Sequence, residues 1–199
     1  MSGYHPRGKV AVSARRRELV LSKVSRQPAI IRYIYNEARI LFVGINPHPG
    51  SFSRGVPFSN NKLFWYLLSE AGLIKEKRDE LRDDKTLGQI YREKFNAVYG
   101  LGFVNIIDRP TRDITGIEKH EELPGRKKIL RIIKTEMPKI VCFIGKVAYE
   151  KYTGLKQFSF GWQKNMGTSK VFVMHFPLRG KAIIRVRELQ KVKLALRDH

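Results

Sequence analysis

The chain has 199 residues, 42% of them hydrophobic, with 39 Lys and Arg against 18 Asp and Glu for a formal net charge of +21, and a single cysteine. That apolar content suffices for one domain with a sizeable core. Cys142 alone excludes an internal disulfide framework and a four-cysteine zinc or iron-sulfur site, so the chain reads as a reduced, intracellular protein.

No run approaches the roughly 18 consecutive apolar residues of a membrane span. The first residues, with Arg7, Lys9 and Arg15 to Arg17 among them, lack a signal peptide's apolar segment, and no membrane partner is expected. Self-repulsion at +21 destabilises a compact state unless a polyanion relieves it, which points to nucleic acid. The charge is uneven. Residues 1–28 hold seven basic side chains and one acid, residues 179–199 hold seven and two, and residues 70–96 hold seven of each. Basic ends around a neutral middle suggest a directional face.

In chain order, residues 1–28 show weak periodicity and many charges, and read as a basic amino-terminal arm ending at Gln27-Pro28. A single globular domain is expected over 29–199. Ile40-Leu41-Phe42-Val43, closed by Gly44, is a continuous apolar run suited to a strand buried on both faces. Similar runs recur at Phe103 to Ile107, Ile140 to Ile144 and Val171 to Met174. Between them lies helical spacing: Leu63, Phe64, Leu67, Leu68 and Ala71 after a cap at Ser59 or Asn60, then Ile129, Leu130, Ile132 and Ile133. Val186, Leu189, Val192 and Leu196 continue the pattern. The expected fold is a three-layer α/β/α domain around a mostly parallel, four-stranded sheet.

Open parallel sheets place their sites at the carboxyl ends of the strands. Gly44 to Gly50, Asp108 to Thr111 and His175 to Gly180 follow the first, second and last strands. Familiar phosphate loops, dinucleotide turns and serine elbows are absent from the sequence, and one cysteine cannot build a deaminase zinc site. The histidines have no close metal-ligand spacing; a structural or solvated role is preferred for each, with His48 and His175 singled out by position.

The most informative string is Gly44-Ile45-Asn46-Pro47-His48-Pro49-Gly50-Ser51, followed by Pro57-Phe58-Ser59-Asn60-Asn61 and then Phe64-Trp65. Read alone, Asn46-Pro47 is a turn. The whole string resembles the uracil-DNA glycosylase superfamily, most closely its mismatch-specific uracil and thymine branch, whose first motif is Gly-Ile-Asn-Pro followed by Pro-Phe and Phe-Trp. Asp108-Arg109-Pro110-Thr111, Gly125-Arg126-Lys127 opening a helix, Ile144-Gly145-Lys146 and Ala148-Tyr149-Glu150 extend the resemblance in order across residues 39–196.

By this resemblance Asn46 takes the place of the catalytic asparagine, and Phe58 that of the aromatic that stacks on an extruded base. Breaking an N-glycosidic bond leaves positive charge on the sugar and negative charge on the base, so an amide that orients water and donors facing the base suffice. Backbone N–H groups near Gly44, Ile45 and Phe58 are the expected donors, and Ser59 or Asn60 is a candidate for reading an edge. Asp108 either positions water or caps a turn, and the turn is preferred. The sequence departs from the branch at His175-Phe176-Pro177-Leu178-Arg179-Gly180, where the family inserts a loop into the duplex. Within this DNA-binding segment Leu178 is the apolar candidate for the wedge, and Arg179 a second one. His48-Pro49 also departs from the family's common glycine.

The expectation is a monofunctional DNA glycosylase acting on uracil, or on thymine opposite guanine, in double-stranded DNA. It would be monomeric and need no metal or cofactor. Its site would be the cytoplasmic nucleoid of a prokaryote or the nucleus of a eukaryote. A different main lesion such as hypoxanthine, a noncatalytic nucleic-acid-binding protein, and a hydrolase of free nucleosides remain as alternatives.

Overall fold

The computed structural model describes residues 30–197; the basic arm expected over 1–28 lies outside the described residues. Strands β1 (Ile40–Gly44), β2 (Leu101–Asn105) and β3 (Ile140–Ile144) are buried at every position. Ile40 and Phe42 pack into one apolar layer, with Phe64, Trp65, Phe103 and Leu189, while Leu41 and Val43 pack into the other, with Val104, Ile129, Phe143 and Tyr149. Two-sided burial explains why these strands are continuous apolar runs. Each large side chain withdrawn from water contributes about 1.5–3 kcal/mol.

Among the described residues the sheet has five strands, one more than the expected four. Its order is β2-β1-β3-β5-β4, where β5 is Ser169–Met174 and β4 is Gly161–Met166. The first four strands in that order run parallel, and β4 is antiparallel to β5. Edge strand β4 escapes the apolar criterion because its sequence, Gly-Trp-Gln-Lys-Asn-Met, has no fully buried residue. The run at Phe103 to Ile107 pairs two residues earlier than expected, so Ile106 and Ile107 continue beyond the strand, where their N–H groups bond the Gly44 and Ile45 carbonyls.

Helices cover both faces. The chain forms α1 (Pro49–Ser53), α2 (Leu63–Glu70) and α3 (Asp84–Gln89), then α4 (Glu122–Glu136), α5 (Lys146–Thr153) and α6 (Ala182–Leu194). The cap expected at Ser59 or Asn60 falls instead at Lys62, where Asn61 Oδ1 accepts from the Leu63 N–H at 3.1 Å. Helix α4 opens at Glu122, before Gly125-Arg126-Lys127, because Gly125 is needed inside it as a contact point. A Cβ there would collide with the Ile106 carbonyl just past β2.

The chain leaves β1 for β2 on one side and later leaves β3 for β5 on the other. This divergence opens a crevice at the carboxyl ends of β1 and β3. Gly125→Ala should force α4 away from β2 and lower unfolding free energy by about 1–3 kcal/mol. Chemical denaturation checks this; an unchanged midpoint would show that the helix yields freely.

Candidate active site at the carboxyl ends of the strands

Gly44 ends β1 directly opposite Asn105, the last residue of β2. The Asn105 side chain lies across Gly44, so a Cβ on Gly44 would collide with Asn105 Oδ1 and approach Phe103 Cζ to 3.1 Å. Asn105 is buried and donates from Nδ2 to the Tyr33 hydroxyl at 3.0 Å. Burial, reinforced by the negative charge of Asp108, pushes the Tyr33 phenol far above its ordinary value, against a smaller opposing effect of the Asn105 bond, and it stays protonated.

Past the strands, the first two loops remain joined. Ile107 N–H reaches the Ile45 carbonyl at 2.8 Å, and Thr111 N–H reaches the Pro47 carbonyl at 3.1 Å. Half-buried Asn46 therefore sits against Thr111, to whose Oγ1 its Nδ2 donates at 2.6 Å, with a longer contact of 3.3 Å to the Pro47 carbonyl. The Thr111 hydroxyl spends its own proton on the Asp113 carbonyl at 2.5 Å. It can only accept from Asn46, which fixes the amide with nitrogen inward and leaves Oδ1 without a donor among the described residues. Asp113 is held in turn by Thr115, whose side-chain and backbone hydrogen bonds keep its carboxyl below the usual range.

His48 caps α1, its Nδ1 accepting from the Gly50 N–H at 3.0 Å. Asp108 is exposed and pairs with Lys128 on α4 at 2.6 Å, an ion pair in place of the turn cap preferred from sequence. Two cavities, of about 160 and 320 Å³, share Asp108 and Lys128 in their walls, and neither is lined by Asn46 or Phe58. Among the described residues no three His, Cys, Asp or Glu side chains cluster as metal ligands, and no helix is long and apolar enough to cross a membrane.

Phe58 lies on the other side of the crevice with a left-handed backbone, φ 55°. Its ring rests on Phe64 at 4.7 Å between centroids and on Phe103 at 5.8 Å, and it is half-buried. The preceding carbonyl, Pro57 O, accepts from the buried Trp65 indole at 2.7 Å. Ser59 is buried and donates to the Val56 carbonyl at 2.9 Å, so its hydroxyl serves the turn. Asn60 is exposed; its N–H bonds the Ser51 hydroxyl at 3.0 Å and its side chain covers Gly50.

The last loop reaches back to this point. Phe176 lies over Gly145, at the end of β3, with its ring 6.3 Å from Phe58. His175 stacks on Phe160 at 3.5 Å between centroids, and its Nδ1 lies 2.6 Å from Glu188 Oε1. That anchoring turns His175 toward the protein. Pro177 is buried, Leu178 is 41% exposed, and Arg179 and Gly180 are exposed, so Leu178 and Arg179 project from the loop. The crevice thus brings Asn46, Phe58 and Phe176 to one end of the sheet, with Leu178 and Arg179 on the loop beside it. Sequence reasoning assigned no role to Asn105, Thr111, Phe176 or Glu188. Asn105 did carry a signal, as the one polar residue in the run from Phe103 to Ile107.

An amide acceptor and an aromatic shelf at the same end of the sheet, in a strongly basic chain, suit a hydrolytic site for a planar base attached to a polyanion. A family model described as the uracil DNA glycosylase superfamily matches residues 32–185, more than half of the chain. The chain belongs to the uracil DNA glycosylase superfamily, and is a DNA glycosylase of base-excision repair.

Proposed function

We propose that the protein is a monofunctional glycosylase that swings uracil, or thymine mispaired with guanine, out of duplex DNA and hydrolyses its N-glycosidic bond. The observation that carries this reading is the Asn46 amide locked by Thr111, with its oxygen unpaired among the described residues. Oδ1 accepts a hydrogen bond from water and aims the water oxygen at the sugar's anomeric carbon. The carbon–nitrogen bond breaks with its electron pair leaving on the base, the water oxygen bonds to the carbon, and the water's proton departs to solvent or to the base anion. A neutral amide is too weak a base to drive this by proton abstraction, so bond breaking runs ahead of attack. DNA phosphates stabilise the cationic sugar, and bases that leave well as anions are preferred.

Phe58 supplies the face on which the base stacks. Its N–H has no intramolecular acceptor among the described residues, which supports a role as donor to a base carbonyl, together with backbone groups near Gly44 and Ile45. Asn105 lies beside Gly44 but is buried with its Nδ2 given to the Tyr33 hydroxyl, and the Ser59 hydroxyl is committed to its turn, so the exposed Asn60 side chain is the candidate for reading the base edge. Leu178 and Arg179 fill the gap left in the duplex, and His175, Pro177 and Gly180 shape the loop that carries them. The ordered motifs from Gly44 to Glu150 support the mismatch-specific branch.

Asn46→Ala should reduce single-turnover release of uracil from a G·U duplex by roughly 100-fold or more while DNA affinity changes little. Wild-type rates in that variant would remove Asn46 from the chemistry. Thr111→Val frees the amide to rotate and should cost on the order of tenfold in the same step with KM nearly constant; no change would mean the amide is held by other means. Phe58→Leu, which keeps apolar packing against Phe64, should weaken binding of the flipped base by about 1–3 kcal/mol. Equal affinity of both proteins for a duplex carrying a non-cleavable uracil nucleotide would reject stacking.

A further inference from the structure

We propose that Arg185 and Glu188 are positioning residues that hold the His175–Lys181 loop in the shape that inserts into DNA. This rests on the insertion role proposed for Leu178 and Arg179. The two charged side chains stand one turn apart on α6, and they are 3% and 8% exposed. Their hydrogen bonds run to the loop. Glu188 Oε2 accepts from the His175 N–H at 3.0 Å while Oε1 holds the His175 ring. Arg185 donates from Nε to the Phe176 carbonyl and from Nη1 to the Lys181 carbonyl, both at 2.7 Å.

Both Glu188 oxygens are occupied by His175, and among the described residues Arg185 has no carboxylate partner. Two buried charges that do not pair with each other are a costly way to hold a core together, since well-packed apolar residues would do so as well or better. What they supply is placement. The carbonyls of Phe176 and Lys181 bracket Pro177 to Gly180, so one guanidinium fixes the loop at both ends and leaves Leu178 and Arg179 projecting between them. Gly180 adopts φ 75° against that guanidinium, where a Cβ would come within 3.1 Å of Nη2. The conformational entropy of ordering the loop is then lost on folding, not on meeting DNA.

The test compares affinity for a duplex carrying a tetrahydrofuran abasic analogue opposite guanine, which offers a ready gap, with affinity for the same duplex intact. The full chain should prefer the gapped duplex. If removing the clamp leaves the loop competent about a tenth of the time, Arg185→Met should lower that preference about tenfold, with intact-duplex affinity nearly unchanged and Arg185→Lys recovering part of it. A merely structural Arg185 would lower both affinities together, and that result, or an unchanged ratio, overturns the proposal. Should Arg185→Met fail to fold, Gly180→Ala strains the loop while keeping the charge and must lower the same ratio. Absence of any preference in the wild-type protein also overturns it. Binding to the analogue needs no catalysis, so uracil release by the wild-type protein from a G·U duplex, measured in parallel, tests the glycosylase chemistry separately.

Discussion

The Thr111 hydroxyl has one proton, committed to the Asp113 carbonyl, and the orientation of Asn46 follows from that commitment. Turning the Asn46 amide over would set its oxygen against an oxygen that has no proton left to offer. The same threonine holds the Pro47 carbonyl through its backbone, so the turn after β1 and the segment after β2 move as one body. An asparagine on a free Asn-Pro turn would present either end of its amide. Here the pairing of the two loops turns it into a directional acceptor, and a weak functional group becomes useful through placement.

The opposite wall is held by aromatic packing that runs from the core to the surface. Trp65 is fully buried against Phe64, Tyr91 and Phe95, and its indole fixes the Pro57 carbonyl just before Phe58. A left-handed backbone at a phenylalanine costs about 1–3 kcal/mol and persists only where its surroundings over-determine it. The rings of Phe64 and Phe103 below and the bonds of Ser59 behind provide that restraint. Phe176 then joins the last loop to the same stack, so the two loops that frame the crevice share one apolar contact.

Charge is arranged on a different principle. Most of the acids in the neutral middle serve local pairs and caps, as Asp84 does with Arg54 and Lys62, Glu76 with Lys94, and Asp83 with the Thr86 N–H. Of these pairs, the exposed Arg54–Asp84 contributes little to stability, while the Glu76 carboxylate is buried. The effect of the pairs is to neutralise one region of a chain of net charge +21, leaving the excess for a polyanion elsewhere.

Strands β1 and β3 could be read from composition because burial on both faces demands unbroken apolar runs, whereas β4, half exposed at the edge, obeys no such demand. Helix α4 was legible in its middle, where Ile129, Ile132 and Ile133 face the sheet, but not at its start, where Gly125 answers to the Ile106 carbonyl and not to helix propensity. The ordered motifs located Asn46 and Phe58 by resemblance. Their partners lie far off in the chain: Thr111 is 65 residues from Asn46, and Asn105 meets Gly44 only through strand register. The amino-acid sequence by itself determined the layered α/β architecture, the basic character and the family, since these depend on local periodicity, charge and motif order. Only the tertiary structure decided which end of the Asn46 amide is free, where Phe176 lies and what holds the last loop, because hydrogen-bond direction and close approach are properties of pairs that the chain brings together after folding.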